Sequence, residues 1–196
     1  PDARLLWRFN RRRLSAEEIR DAMLLVSGDL DPTMGGEHPF PPVESWNFTQ
    51  HAPFYGDYPT NRRSVYLMQQ RLKRHPFVGL FDGADANVST ARRELTTVPT
   101  QALYLMNNEF VHQRAEGLAR RALAESPDAA GRVEFIWRTA FGRAPGRAEQ
   151  ADAAAFAKQY TDALAGTGAS PDSSEVKVWS ALARTVVTRN EFLFVD

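Results

Sequence analysis

Residues 14–28 read LSAEEIRDAMLLVSG, and this stretch decides the fold class. Ser15 followed by Glu18 makes a capping box, in which each side chain satisfies a backbone amide left without a partner by the first helical turn. Leu14 and Ile19 stand at the two positions of a hydrophobic staple across that turn. Ile19, Ala22, Met23 and Val26 then recur at helical spacing and form one apolar stripe. Gly28 supplies the left-handed residue that suits a helix C-terminus. The spacing predicts an amphipathic helix with a start, a buried face and a stop. A helix apolar along one face needs other elements to cover it.

The same signals recur toward the C-terminus. Asn61 as a cap predicts a helix over residues 62–74 with Val65, Met68 and Leu72 on one face, ended by His75-Pro76; Val65-Tyr66-Leu67 also suits a strand. Pro99 fits the first turn of a helix carrying Ala102, Leu103, Leu105 and Met106. Asn107-Asn108 breaks and recaps the chain for a helix over 109–124, faced by Phe110, Val111, Leu118 and Ala122. Ser126-Pro127-Asp128 opens the next, with Val133, Ile136, Trp137 and Ala140 in register and Gly142 and Pro145 closing it. The alanine-rich residues 148–164 have high helix propensity. After the polar connector GTGASPDSS, a last helix over 174–190 turns Val178, Leu182 and Val186 inward with Trp179 beside them, and NEFLFVD is apolar enough to dock.

Toward the N-terminus, residues 3–13 set Leu5, Leu6, Trp7 and Phe9 beside a basic run, compatible with a short helix or an extended lead-in. Residues 37–60, EHPFPPVESWNFTQHAPFYGDYPT, hold too many prolines for a helix and too many aromatics for simple disorder. They read as a long ordered loop with a short strand over 45–49. The expected architecture is mainly α, a single helical domain over residues 1–196 with subdomains 1–108 and 109–196 as the alternative. The chain begins with Pro and shows no signal peptide, and so reads as a piece cut from a longer protein.

Lys+Arg and Asp+Glu number 24 each, so no global field draws nucleic acid or an anionic membrane. No long apolar run would insert in a bilayer. The absence of cysteine removes disulfides, thiolate chemistry, Cys-ligated zinc and thioether-attached haem from this chain. The four histidines, at 38, 51, 75 and 112, show no paired ligand spacing.

Chemistry concentrates in residues 80–107, LFDGADANVSTARRELTTVPTQALYLMN. Asp82, Asp85, Asn87, Arg92, Arg93 and Gln101 lie there between apolar runs, and polar groups so placed are paired, hydrated or functional. Asp82 and Asp85 are the candidate catalytic carboxylates and the candidate hard-oxygen ligands for a metal, though the spacing is not that of an EF-hand. Arg62, Arg63, Arg92 and Arg93 can fork onto those carboxylates or onto backbone carbonyls, and can equally hold an anionic ligand such as a uronate, sulfate or phosphate. Trp46, Phe54 and Tyr55 are the candidate stacking platform for a glycan. No phosphate loop and no nucleophile elbow is present.

Together NRRRLSAEEIRDAMLLVSGDLDPTMGG, NRRSVYL, the 80–107 stretch and NEFLFVD resemble the domain-of-unknown-function 1553 family, an uncharacterised domain abundant in planctomycete bacteria. The residues carrying the likeness are Gly35, Gly36, Arg62, Arg63, Asp82, Arg93, Pro99, Gln101, Ala102, Asn107, Asn190, Glu191 and Phe192. GADAN stands where the family pattern places a proline, and Thr100 replaces a usual leucine. The resemblance implies that residues 1–196 are a domain excised from the C-terminal part of an exported, multi-domain parent, periplasmic or at the cell surface, in which a partner domain carries c-type haem and upstream domains of the same polypeptide are this chain's partners. The leading expectation is a non-catalytic binding or scaffolding domain. The alternatives are an enzyme domain or half-site acting on polysaccharide or its oxidation products, and a glycan-binding module.

Overall fold

The structure, a computed structural model, describes residues 9–36, 42, 44, 56–165 and 170–195. The fold is mainly α, as the capping and periodicity signals require. The first helix, α1 (Ala16–Ser27), begins at the predicted capping box: Glu18 N donates to Ser15 Oγ, and Ser15 N donates to Glu18 Oε2 at 2.7 Å. It ends on Gly28 at φ 84°, the left-handed cap. Six further helices come next in the chain as α2 (Pro76–Leu80), α3 (Pro99–Asn107), α4 (Glu109–Glu125), α5 (Ala129–Phe141), α6 (Arg147–Leu164) and α7 (Pro171–Val187), and α8 (Asn190–Leu193) closes the series among the described residues.

Helix α4 is the central element, packed against α7, α1 and α5. Its Val111, Ala115, Leu118, Ala119 and Ala122 recur every three or four residues and are all buried. Each such aliphatic side chain contributes about 1.5–3 kcal/mol on leaving water, less for alanine. Small residues let α1 cross closely: a Cβ at Gly117 would stand 2.9 Å from both Ser27 Cβ and the Ser27 carbonyl oxygen. Helix α7 answers with Val178, Trp179, Leu182, Ala183, Val186 and Val187, and α5 with Val133, Ile136 and Trp137.

The two chain ends of the described region meet. Strand β1 (Arg12–Arg13) pairs antiparallel with β2 (Phe194–Val195), Arg12 opposite Val195 and Arg13 opposite Phe194. Leu14 N extends the ladder to the Leu193 carbonyl at 2.9 Å. Phe192 and Leu193 are buried, so residues 190–195 dock as their composition predicts.

Residues 62–74 depart from expectation. Where periodicity predicts a helix, the structure has a 3-10 turn over Ser64–Tyr66 and irregular chain beyond it. The cause is competition for the backbone acceptors. The Asn61 and Arg62 carbonyls, which would accept the first helical bonds, take Asp31 N at 2.9 Å and Arg20 Nη1 at 3.0 Å instead, while Asp21 of α1 accepts from the Ser64 amide at 2.8 Å and hydroxyl at 2.6 Å. The expected apolar face dissolves accordingly: Val65 is 74% exposed, and Leu67 is buried in its place. His75-Pro76 starts a helix, since Pro76 is the first residue of α2, a position where its missing N–H costs nothing. The short strand expected over 45–49 lies outside the described residues.

At the mouth of α1, Arg12 grips Glu18 with two hydrogen bonds at 3.1 and 3.0 Å. That pairing, with the Ser15 amide, lowers the Glu18 carboxyl from the usual glutamate range to about 2. A carboxyl depressed in the folded state adds stability above its unfolded pKa and loses it as pH falls through the folded value. The stabilisation is therefore complete above about pH 5 and gone near pH 2. Because the pair is exposed, its contribution is under about 1 kcal/mol. Thermal melts across this range are expected to show Glu18→Gln less stable than the parent at about pH 6 and equal to it near pH 2.

Candidate functional site

The polar stretch 80–107 is organised around the C-terminal end of α2. After Leu80 the chain turns through Phe81, Asp82 and Gly83, and Gly83 N donates back to the Val78 carbonyl at 2.8 Å. This is the Schellman closure of a helix, and the residue it places in the left-handed region is normally glycine. Here it is Asp82, at φ 62°. Asp tolerates that conformation better than most residues because of its short polar side chain. The next residue is glycine for a steric reason, since a Cβ at Gly83 would stand 2.2 Å from Val78 Cγ1.

The turn aims the Asp82 carboxylate at Thr96. Thr96 N donates to Oδ2 and Thr96 Oγ1 donates to Oδ1, both at 2.8 Å. Behind them lies Arg13, whose side chain is 8% exposed, 3.7 Å from Asp82 Oδ2 and donating to the Thr96 carbonyl. Its guanidinium also sits 5.5 Å from the centre of the Phe81 ring. Gln101, buried on α3, donates from Nε2 to the Leu80 carbonyl at 2.9 Å and accepts from Val98 N at 3.4 Å. Both Asp82 and Gln101 therefore spend their polar atoms on fixing the run 94–98 and α3 against α2.

The other predicted residues divide. Arg93 pairs with Glu17 of α1 at 2.7 Å, and Arg62 donates to the Thr33 carbonyl at 2.9 Å and to the Gly35 carbonyl while lying 4.1 Å over the Tyr66 ring. Gly35 N in turn donates to Tyr66 Oη at 3.0 Å. Asn87 donates to Asp85 Oδ1 through its backbone at 2.8 Å and its side chain at 3.1 Å, and a second bond from Nδ2 reaches the Arg71 carbonyl. The amide bond lowers the Asp85 carboxyl below its ordinary value. Arg63 and Arg92 are exposed and form no carboxylate pair among the described residues. Asp82 and Asp85 thus belong to separate hydrogen-bond systems, one with Thr96 and Arg13, the other with Asn87. Trp46, Phe54 and Tyr55 lie outside the described residues. Among the described residues, no group of three His, Asp or Glu side chains is arranged to hold a metal ion.

An open groove of 900 Å³ runs along the outer face of α1. Leu14, Leu25, Leu30, Val65 and Leu67 give it an apolar lining, and Glu17, Glu18, Asp21, Asp85, Arg63 and Arg93 give it charge. Of these carboxylates, Glu18 and Asp85 are both shifted toward the ionised form.

Three residues central to this region escaped sequence reasoning. Arg13 reads as one of three basic neighbours, and nothing local distinguishes it from Arg12. Thr96 is one of two adjacent threonines. Arg20, 4% exposed, donates to the Arg62 and Thr60 carbonyls and to Ser64 Oγ. A signal for it existed: Arg20 falls four residues after Ala16 and three before Met23, on the buried face of α1.

A family model described as PSD1, protein of unknown function (DUF1553), matches residues 1–157. The matched span ends within α6, so the NEFLFVD segment lies outside it. No curated protein and no solved structure matches the chain.

Proposed function

The chain belongs to the PSD1 family of proteins of unknown function (DUF1553), and from that premise we propose that it is a non-catalytic binding and scaffolding domain. The observation carrying this reading is the commitment of Asp82. Both of its oxygens are taken by Thr96 and its charge by Arg13, so the most suggestive carboxylate holds chain segments together. Arg62, Arg93 and Gln101 do the same work, each bonded to a residue far away in sequence. A general acid needs a carboxyl pushed up toward neutral pH, whereas the perturbed carboxyls of the α1 groove are pushed down.

Binding falls to that groove. Its exposed Leu25 and Val65 are apolar surface without cover among the described residues, and its four carboxylates outnumber its two arginines. A partner segment presenting apolar and basic side chains fits both properties. We assign that segment to other domains of the same polypeptide, an exported multi-domain protein of planctomycete type whose neighbouring domain carries c-type haem. In the full-length polypeptide, Leu25→Glu is expected to leave the fold intact and to expose the inter-domain boundary to limited proteolysis at least tenfold faster. Unchanged proteolysis counts against the docking role. Saccharide turnover lost in a folded Asp85→Ala variant counts against the non-catalytic reading.

A further inference from the structure

Residues 95–108 read LTTVPTQALYLMNN, a run without one charged side chain. Helix α3 occupies most of it and has two unlike faces. Gln101 and Leu105 are buried, while Pro99, Ala102, Leu103 and Met106 lie exposed on the opposite side at helical spacing. Leu95 and Val98 carry the apolar surface back along the preceding chain, and Leu95, Leu103 and Met106 are each more than half exposed. Single exposed apolar residues are ordinary, but a contiguous stripe of them marks an interaction face. The outer face of a helix is convex, so it offers a small molecule no enclosure.

Charge returns at both ends of the stripe, with opposite sign. Glu94 is exposed, directly precedes the run, and pairs with no cation among the described residues. At the C-terminal end of α3, His112 of α4 donates from Nε2 to the Met106 carbonyl at 3.0 Å and accepts at Nδ1 from Arg184 Nη1 at 3.2 Å. Arg184, so placed beside that end, has no carboxylate partner among the described residues.

We propose that this face of α3 docks on the same face of a second copy of the chain, the two helices antiparallel about a two-fold axis near Leu103. Antiparallel pairing sets the start of each α3 beside the end of the other, so that Glu94 of each copy meets Arg184 of the other. Parallel pairing would set like charges together. A surface that is uncharged along its length, acidic at one end and basic at the other is complementary to itself, and this favours a second copy over an unrelated partner. The stripe presents Leu95, Val98, Leu103 and Met106, far less than the roughly 800 Å² per partner of a standard stable interface. The dimer is therefore weak and reversible. This assignment is independent of the α1 groove.

The test is sedimentation equilibrium of the chain from low micromolar to millimolar concentration, where a concentration-dependent dimer is expected. Leu103→Glu changes an exposed side chain and is expected to keep the parent circular dichroism spectrum while weakening the dimer at least tenfold. Glu94→Arg and Arg184→Glu are each expected to weaken it at least threefold. An equimolar mixture of those two variants should dimerise more tightly than either alone, because mixing restores both acid–base contacts. A chain monomeric at millimolar concentration, an unweakened dimer in folded Leu103→Glu, or a mixture no tighter than its components overturns the proposal. Leu25→Glu leaves the dimer unchanged, so this assignment and the α1 docking role fail separately.

Discussion

Asp82→Ala is expected to lower the thermal midpoint by roughly 15 °C, since a chain of this size loses about 2–4 °C per kcal/mol. The loss has two parts. Removing one member of a buried charged pair costs about 3–5 kcal/mol, mostly through the partner left behind. Here the residue left behind is Arg13, 8% exposed and keeping only the Thr96 carbonyl and the Phe81 ring. The second part is conformational, because Ala at φ 62° meets a steric penalty of about 1–2 kcal/mol that glycine escapes. Asp82→Gly should therefore be the milder change by about that amount, and Asp82→Asn, which keeps an acceptor for Thr96 and tolerates the left-handed region, milder still. Chemical denaturation of the three variants gives the order directly. Had Asp82 served chemistry alone, Asn and Ala would cost similar, small amounts of stability.

That ordering rests on contacts that were only partly legible in the sequence. Helix α1 was legible to the residue because its signals are local: Ser15, Glu18 and Gly28 act within one turn of each end. The starts of α3 at Pro99, α4 at Asn108 and α5 at Asp128 were legible for the same reason. The irregular run over 62–74 was not, because the Arg62 carbonyl is taken by Arg20, 42 residues earlier in the chain, and the Asn61 carbonyl by the Asp31 amide. Periodicity reports which side chains share a face and says nothing of distant donors competing for a carbonyl. The polar stretch behaves likewise. Its residues were identifiable as paired or functional, yet their partners lie 83 positions away for Arg13 and Thr96, and 76 for Arg93 and Glu17. Residue type announces that a partner exists, and only the fold names it.

Phe77→Ala is the second large expectation, and it joins the core to both the Asp82 turn and the ring cluster of Phe81, Tyr104 and Phe110. Phe77 is 1% exposed and stacks on Phe81 at 4.6 Å while meeting Tyr104 and Phe110 edge-on. Truncating a buried phenylalanine costs about 3–5 kcal/mol, the spread reflecting how far the cavity collapses. Collapse is restricted here because α2, only five residues long, is pinned at its C-terminal end: Asp82 on Thr96, Gly83 on Val78, and Gln101 on the Leu80 carbonyl. Phe77→Leu, which fills most of the volume but forfeits the ring contacts, should cost about 1–3 kcal/mol. The turn and the aromatic cluster should respond together. With Phe77→Ala, α2 loses its anchor in the core, so the further loss caused by Asp82→Asn should be smaller than in the parent. A double-mutant cycle by denaturant unfolding is expected to show a coupling of at least about 0.5 kcal/mol, above the scatter seen for independent positions. Strict additivity would mean that the Asp82 network and the aromatic cluster are separate structures. Coupling would make the turn after α2 the joint through which the polar pins, the core and the aromatic cluster are fixed together.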